Sequence, residues 1–390
     1  MIDKLKEILN LFPKSKDDKI DWNLLKKTTL SPIFLKMAET QQNPEYHSEG
    51  DVYTHTKMVC ESLISDNEYW ELTAKEREIL FLASLLHDIG KIKCSKLEDG
   101  KIVSPRHAKT GAVMARELLW REYGLCGTKE KQNMRESVCA FIKYHSYPPF
   151  AITNNNPNHK MLKVSYQVKL ATCFSIRKLC ILERADVKGR IGASVSDYFE
   201  KIEYCRLLGE ELGCLDKPYS FPNAYTARAY FKNDSIQPNY EAFNDTWGEV
   251  ILLSGLPGTG KDTFIKNNYP SVPVITLDQI RIEKGLSPVG NQSEVVSIAK
   301  ERAREHLRRK QSFIWNATSI NEQLRSALIS LFESYGARVK IVFLETEYQE
   351  QLRRNSSRKS EVPTQAIEKM LSRLEIPEAH EAQAVEWIIT

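Results

Sequence analysis

The sequence predicts a multidomain protein, with an all-α N-terminal domain followed by an α/β domain built on a parallel sheet. Three observations carry this expectation. Through most of the first 215 positions, apolar residues recur at the three- and four-residue spacing of amphipathic helices. From Trp247 onward, short apolar runs alternate with helical stretches, the texture of a parallel sheet flanked by helices. Between them, Pro218, Pro222 and Pro238 fall among Asn, Asp and aromatic residues, which reads as a packed connector more than a flexible linker. The expected divisions are 1–215, 216–245 and 246–390.

Individual elements follow from the same patterns. Helices are expected over Ala74–His87, His107–Tyr123, Met134–His145 and Lys169–Val187. In the last part, apolar runs at 250–253, 272–277, 313–315, 339–344 and 385–389 predict strands, and Ser293–Arg309 and Asn321–Ser334 predict helices between them. There is no internal repeat and no low-complexity segment.

Composition bounds the class. A chain of 390 residues is long enough for two to three domains with sizeable cores, and 42% hydrophobic with 27% charged residues is the balance of a soluble globular protein. No apolar run approaches the roughly 18 residues of a membrane span, so no membrane partner is expected. The first residues, Met-Ile-Asp-Lys-Leu-Lys-Glu, lack a secretory apolar core. The eight cysteines are scattered without a C-x-x-C pair and read as reduced thiols. Both features lead to a cytoplasmic expectation. A net charge of +4 is only mildly basic and does not by itself argue for nucleic acid. Oligomeric state is not readable.

The most specific local signal is Gly255-Leu-Pro-Gly-Thr-Gly-Lys261, directly after the apolar run Val250–Leu253. A strand emptying into such a loop and then a helix is a phosphate cradle. Backbone N–H groups wrap the anion, and the helix points its positive end at it. Gly255, Gly258 and Gly260 permit the close backbone approach, Thr259 lies inside the loop, and Lys261 reaches the β- and γ-phosphates. ATP or another NTP, with Mg²⁺, is the expected cofactor. The position after the lysine is usually Ser or Thr, whose hydroxyl meets Mg²⁺. Here it is Asp262, with Thr263 next, so the Mg²⁺ ligands stay open, Asp262 acting through water being one possibility. The run Phe313–Trp315 ends in Asn316-Ala-Thr318 and offers no Walker-B carboxylate.

Two further groups belong with the loop. The expected strand ending at Leu277 delivers Asp278-Gln-Ile-Arg281 to the carboxyl edge of the sheet, where chemistry sits in such folds. Asp278 there either accepts a proton from an attacking hydroxyl or caps a helix, and Arg281 lies one turn on. Arg354 and Arg358 are four apart and would share a face if helical. They read either as a clamp on a triphosphate or as a solvated basic helix end. Taken together, Gly255–Thr263, Asp278-x-x-Arg281 and Arg354-Asn355-x-x-Arg358 resemble the phage-type 5′-OH polynucleotide kinases over roughly 247–390. That resemblance implies ATP-dependent phosphorylation of a 5′-OH on DNA or RNA. Lys261 would stabilise the transferring phosphate, with Asp278 as general base. Arg281 would contact the acceptor phosphate, and Arg358 would lie on the donor phosphates.

The first part carries a second chemistry. Six of the eight histidines lie within the first 160 residues. His87-Asp88 ends an apolar helix, and an imidazole beside a carboxylate can ligate a metal. His55 stands upstream at a helix start, and Asp186 downstream, late in a helix. This H…HD…D set resembles the HD phosphohydrolase superfamily over about 40–200. By that resemblance His55, His87, Asp88 and Asp186 would hold one divalent transition metal. His107 and His145 would help hold a second, with Asp88 bridging, or would contact substrate without a metal. Lys91 and Arg190 would meet the substrate phosphate. His47, His159, His306 and His380 are expected to be structural, with His47 lying close to the expected site.

An HD phosphoesterase fused to a 5′-OH kinase resembles a bacterial end-healing family with this domain order. The resemblance implies hydrolysis of 2′,3′-cyclic, 2′- or 3′-phosphates and phosphorylation of 5′-OH ends. The implied partners are RNA or DNA ends and a separate ligase. Two alternatives remain open: an HD nucleotidase fused to a small-molecule or mononucleotide kinase, and a nucleotide-sensing regulator. Tyr225, Tyr230 and Phe231 in the connector either stack on bases or pack between domains.

Overall fold

The computed structural model describes residues 4–192, 195–233, 236–286, 292–358 and 361–390, apart from the side chains of 195 and 196. The chain forms two compact units. One contains Met1–Leu125 and Lys129–Tyr219, the other Cys126–Thr128 and Ser220–Thr390.

The first unit is built mainly from the helices Val52–Ser65, Ala74–Leu86, His107–Arg121, Lys129–Tyr144, Ile176–Lys188 and Val195–Glu211. Ala74–Leu86 is its centre. Thr73 and Glu76 form a capping box at its start, and every residue from Ile79 to Leu86 is buried. A stretch buried on all sides belongs in an interior, and this one carries the chain into that interior at His87. The helix expected from Lys169 instead begins at Ile176, because the Ser175 side chain accepts from the Lys178 N–H and caps it there. The helix expected from Met134 starts earlier, at Lys129. A short hairpin interrupts the helices. β1 (Lys96–Glu98) pairs antiparallel with β2 (Lys101–Val103), and the turn residues Asp99 and Gly100 have φ of 50° and 76°. Asp-Gly is the residue pair that such a turn favours.

The second unit contains a five-stranded parallel sheet of order β4-β5-β3-β6-β7. Its strands are β3 (Glu249–Ser254), β4 (Val274–Thr276), β5 (Ile314–Asn316), β6 (Arg338–Glu345) and β7 (Ala384–Ile389). Side chains alternate across the sheet, and both faces are covered. Val250, Leu252, Trp315, Val339 and Ile341 pack with Phe313 and Phe332 on one face, and Ile251, Leu253, Val342 and Leu344 pack with Ile265 on the other. β3 is central, hydrogen-bonded to β5 and β6, so its carboxyl end opens between two neighbouring strand ends. The helix Ala224–Lys232 belongs to this unit. Arg228 donates to Glu333 at 2.9 and 3.0 Å, and buried Tyr230 meets the rings of Phe221 and Phe231 at 5.4 and 5.3 Å. Among the described residues no helix is long and apolar enough to cross a membrane.

A buried ion pair ties the helix Glu322–Glu333 to the segment before β7. Arg325, fully buried, donates to both Glu381 oxygens at 2.7 and 2.8 Å and to the carbonyls of Ser319 and Glu375. Arg325→Ala strands the Glu381 charge in the interior and should lower unfolding free energy by about 3–5 kcal/mol. In urea titrations, the apolar pair Arg325→Met with Glu381→Leu should recover most of that loss.

Candidate active sites

Each metal-ligand candidate of the first unit is placed by a helix end or a helix face. Asp51 caps Val52–Ser65 and sets His55 in its first turn. His87 and Asp88 follow Ala74–Leu86, and His107 opens His107–Arg121. His145 follows Lys129–Tyr144, and Asp186 lies in the last turn of Ile176–Lys188. All six side chains converge. His55, His87, Asp88 and Asp186 are at most 1% exposed.

The convergence falls into two halves that share Asp88. In one, Asp186 Oδ1 lies 2.9 Å from His55 Nε2 and 3.8 Å from His87 Nε2. Asp88 Oδ2 lies 3.7 and 3.3 Å from the same two nitrogens. In the other, Asp88 Oδ1 lies 3.5 Å from His107 Nε2 and 3.8 Å from His145 Nε2. That Oδ1 atom is buried with no hydrogen-bond partner.

The outer ring nitrogens explain why the inner ones face one another. Nδ1 of His87, His107 and His145 donates to the carbonyl three residues earlier (Ser84, Ser104 and Ile142) at 2.8, 2.9 and 2.8 Å. His55 Nδ1 donates to Gly189 O at 3.1 Å and lies 3.0 Å from Glu49 Oε1. For His87, His107 and His145 these bonds fix the tautomer and leave Nε2 with a lone pair. At His55, whose Nε2 lies 2.9 Å from Asp186 Oδ1, burial is outweighed by Asp186 and Glu49, which hold the ring above its ordinary value. His55 and His87 then meet at 3.4 Å, and His107 and His145 at 3.3 Å, nitrogen to nitrogen. The His107 and His145 lone pairs repel unless a cation lies between them, and in each half two imidazoles with the Asp88 carboxylate form a donor set that fits divalent metal. Burial, with His107 and His87 alongside, pushes His145 down to about 3, and burial holds His107 below its ordinary value. Both are therefore neutral, as ligands must be. Burial opposes ionisation of Asp88, but Lys91 and His87 outweigh it and hold the carboxyl well below its usual range.

Lys91 and Arg190 sit against this centre. Lys91 Nζ donates to Asp88 Oδ2 and to Gln42 Oε1, each at 2.7 Å, and Arg190 is bonded to both oxygens of Asp186. Several neighbours escaped the sequence reading. Glu49 accepts from His47 Nδ1 at 2.8 Å and from the Ile191 N–H at 3.0 Å while flanking His55. His47, expected to be structural, packs its ring 4.7 Å from that of His55, and with Glu49 and His55 it forms a third potential ligand group. Buried Glu183, one turn before Asp186, is pushed well above the usual carboxyl range by burial and by Asp186. The H-S-E spacing around His47 was the visible signal for Glu49. Gln42 and Glu183 carried none. His306 and His380 lie apart, beside Phe313 and Phe231.

In the second unit the glycine loop closes tightly at the end of β3. Gly255, Gly258 and Gly260 have φ of 146°, 83° and 78°, where a Cβ is strained. A Cβ on Gly255 or Gly258 would also meet the carbonyls of Leu344 and Gln351 at 2.6 and 2.5 Å. Thr259 is buried, its hydroxyl donating to Leu256 O at 2.9 Å, so that group is used within the loop. Lys261 starts the helix Lys261–Asn268 and arches back to the Gly255 and Leu256 carbonyls at 2.9 and 2.8 Å. Desolvation, reinforced by Arg358, pushes its ammonium down to about 8, a penalty that a bound polyphosphate would offset. Asp262 Oδ1 accepts from Asn316 Nδ2 at 2.7 Å, and Thr263 is exposed.

Asp278 is the second residue of the helix Leu277–Lys284. Thr276 holds the N-cap position, so Asp278 is not the cap. Its side chain is exposed, bonded to Arg281 Nη1 through Oδ1 and 3.9 Å from Arg358 Nη2 through Oδ2. Arg281 Nε also donates to Gln292 Oε1 at 2.7 Å. Arg354 and Arg358 do not share a helical face. The helix Tyr348–Ser356 stops between them, where the Ser356 and Ser357 hydroxyls donate back to the Arg353 and Arg354 carbonyls. Arg354 pairs with Glu350 and reaches Thr390 Oγ1 at 3.1 Å, with Nη1 3.5 Å from where a Cβ on Gly260 would stand. Arg358 turns instead to Asp278.

Gly90 connects site and fold. A Cβ there would lie 2.0 Å from His107 O and 2.6 Å from Gly111 N, so close approach, rather than dihedral freedom, requires glycine. Gly90→Ala should push His107 away and lower affinity for the second metal by about 10-fold or more, read as metal retained after dialysis. Undiminished retention would contradict this placement of His107.

A model described as an HD domain matches residues 52–176, and one described as an AAA domain matches residues 250–377. Asp186 and Arg190 lie just past the first match. The chain carries an N-terminal HD domain and a C-terminal P-loop, kinase-like AAA domain, a pairing that supports a fused phosphohydrolase and kinase.

Proposed function

We propose that this chain heals broken nucleic-acid ends. One domain removes a 2′,3′-cyclic, 2′- or 3′-phosphate, and the other phosphorylates a 5′-OH at the expense of ATP. The observation that carries the reading is the pairing, in one polypeptide, of two histidine–carboxylate half-sites around Asp88 with a phosphate loop whose accompanying carboxylate, Asp278, stands between Arg281 and Arg358. RNA cut by transesterification leaves a cyclic phosphate and a 5′-OH. Both must be remade before a ligase can join 3′-OH to 5′-phosphate, so a separate ligase is the proposed partner.

At the phosphoesterase site, His55, His87, Asp88 and Asp186 would hold one divalent transition metal, and Asp88, His107 and His145 the other. Such a pair supplies Lewis acidity and a water of lowered pKa. Lys91 and Arg190 neutralise the phosphate, exchanging part of their bonding to Asp88 and Asp186 for phosphate oxygens. At the kinase site the loop amides and Lys261 hold the β- and γ-phosphates of ATP, with Mg²⁺. The 5′-hydroxyl oxygen attacks the γ-phosphorus, its proton passes to Asp278, and the bond to ADP breaks. Arg358 and Arg354 take up donor-phosphate charge, and Arg281 orients the acceptor phosphate.

An RNA oligonucleotide bearing a 5′-OH and a 2′,3′-cyclic phosphate tests the proposal, with ATP, Mg²⁺ and a transition metal present. The wild type should alter both ends. Lys261→Ala should lose 5′ phosphorylation by about 100-fold or more and keep 3′-end hydrolysis, and Asp88→Ala should do the reverse. An unchanged oligonucleotide alongside turnover of mononucleotides would contradict the proposal. Asp278→Asn should lower phosphoryl transfer about 10²–10⁴-fold while sparing ATP affinity, and full transfer in that variant would remove Asp278 as the base.

A further inference from the structure

We infer that the carboxylate of the kinase-site metal contact is transposed: Asp262, on the loop's own helix, faces the magnesium of Mg·ATP, and Asn316 orients it. The inference rests on reading the loop as an ATP site. In P-loop enzymes a Ser or Thr follows the loop lysine, and an acid comes from a neighbouring strand end. Of the two strands beside β3, β6 ends in the fully buried Glu345, and β5 ends in Asn316, whose side chain reaches the loop's helix. The acid and the neutral side chain have exchanged places, and the pair keeps a single negative charge.

Contact geometry supports the exchange. Asn316 is 7% exposed and donates Nδ2–H to Asp262 Oδ1 at 2.7 Å. A carboxylate only accepts, so the amide must present its NH₂ and not its oxygen. Asp262 is exposed, and its Oδ2 has no hydrogen-bond or ion-pair partner among the described residues. One oxygen is held and the other is open to a ligand. A first-turn acid also favours the helix dipole, but that role does not call for an amide from another strand. The other hydroxyl inside the loop, Thr259, is already committed to Leu256 O.

The test measures ATP affinity of the full chain by calorimetry, once with Mg²⁺ and once with EDTA. In the wild type, Mg²⁺ should tighten binding. Asp262→Asn should lose about 10-fold or more of that gain, with affinity in EDTA unchanged or tighter, which also reports a folded site. The double variant Asp262→Ser with Asn316→Asp restores the usual order and should recover the gain, whereas Asn316→Asp alone should not. Full Mg²⁺ enhancement in Asp262→Asn, or its loss in Thr263→Val alone, would overturn the inference while leaving the ATP site intact. No ATP binding by the wild type in either condition would overturn the nucleotide reading beneath it.

Discussion

Asp88 is the constraint on which the first unit turns. One carboxylate, 1% exposed, offers one oxygen to the His55–His87 pair and the other to the His107–His145 pair. A buried charge is costly without partners, and here Lys91 and the imidazoles supply them. The surrounding architecture follows from this. From Ile79 onward the Ala74–Leu86 helix is buried all round, because it ends in the interior. Gly90 lacks a side chain because the helix bearing His107 runs against it. Three histidines take the same anchor, a carbonyl three residues back, which aims each Nε2 at the centre.

The second unit solves the opposite electrostatic problem. Its site gathers positive potential for an anion: loop amides, a helix N-terminus, Lys261 and arginines from two other segments. The sheet order provides the frame, since β3 ends between β5 and β6 and each contributes a wall. One domain thus concentrates donors for cations and the other concentrates cationic groups for phosphate. This fits enzymes that remove and add phosphoryl groups.

What was legible in the sequence was whatever chemistry is written at short range. His87-Asp88 and Gly255–Lys261 are contiguous, and their spacing dictates their geometry. The parallel sheet showed itself in the alternation after Trp247. Gln42, which reaches the site through space alone to touch Lys91, was not legible, and neither was Glu183, whose place one turn before Asp186 gave no sign of its burial against that carboxylate. Element ends went astray where a hydroxyl decides them. Ser175 delays a helix to Ile176. Ser356 and Ser357 end another early enough to part Arg354 from Arg358, so a four-residue spacing that suggested one face serves two directions. The Asp99-Gly100 hairpin lay inside a helical texture and was not read from the sequence.

The central claim is that Asp88 joins two metal half-sites. Metal content per chain, measured after loading with a divalent transition metal and dialysis, tests it most directly. The account predicts two equivalents in the wild type and in Lys261→Ala, one in the double variant His107→Ala with His145→Ala, and none firmly held in Asp88→Ala. A single equivalent in the wild type that survives removal of both His107 and His145 would contradict it.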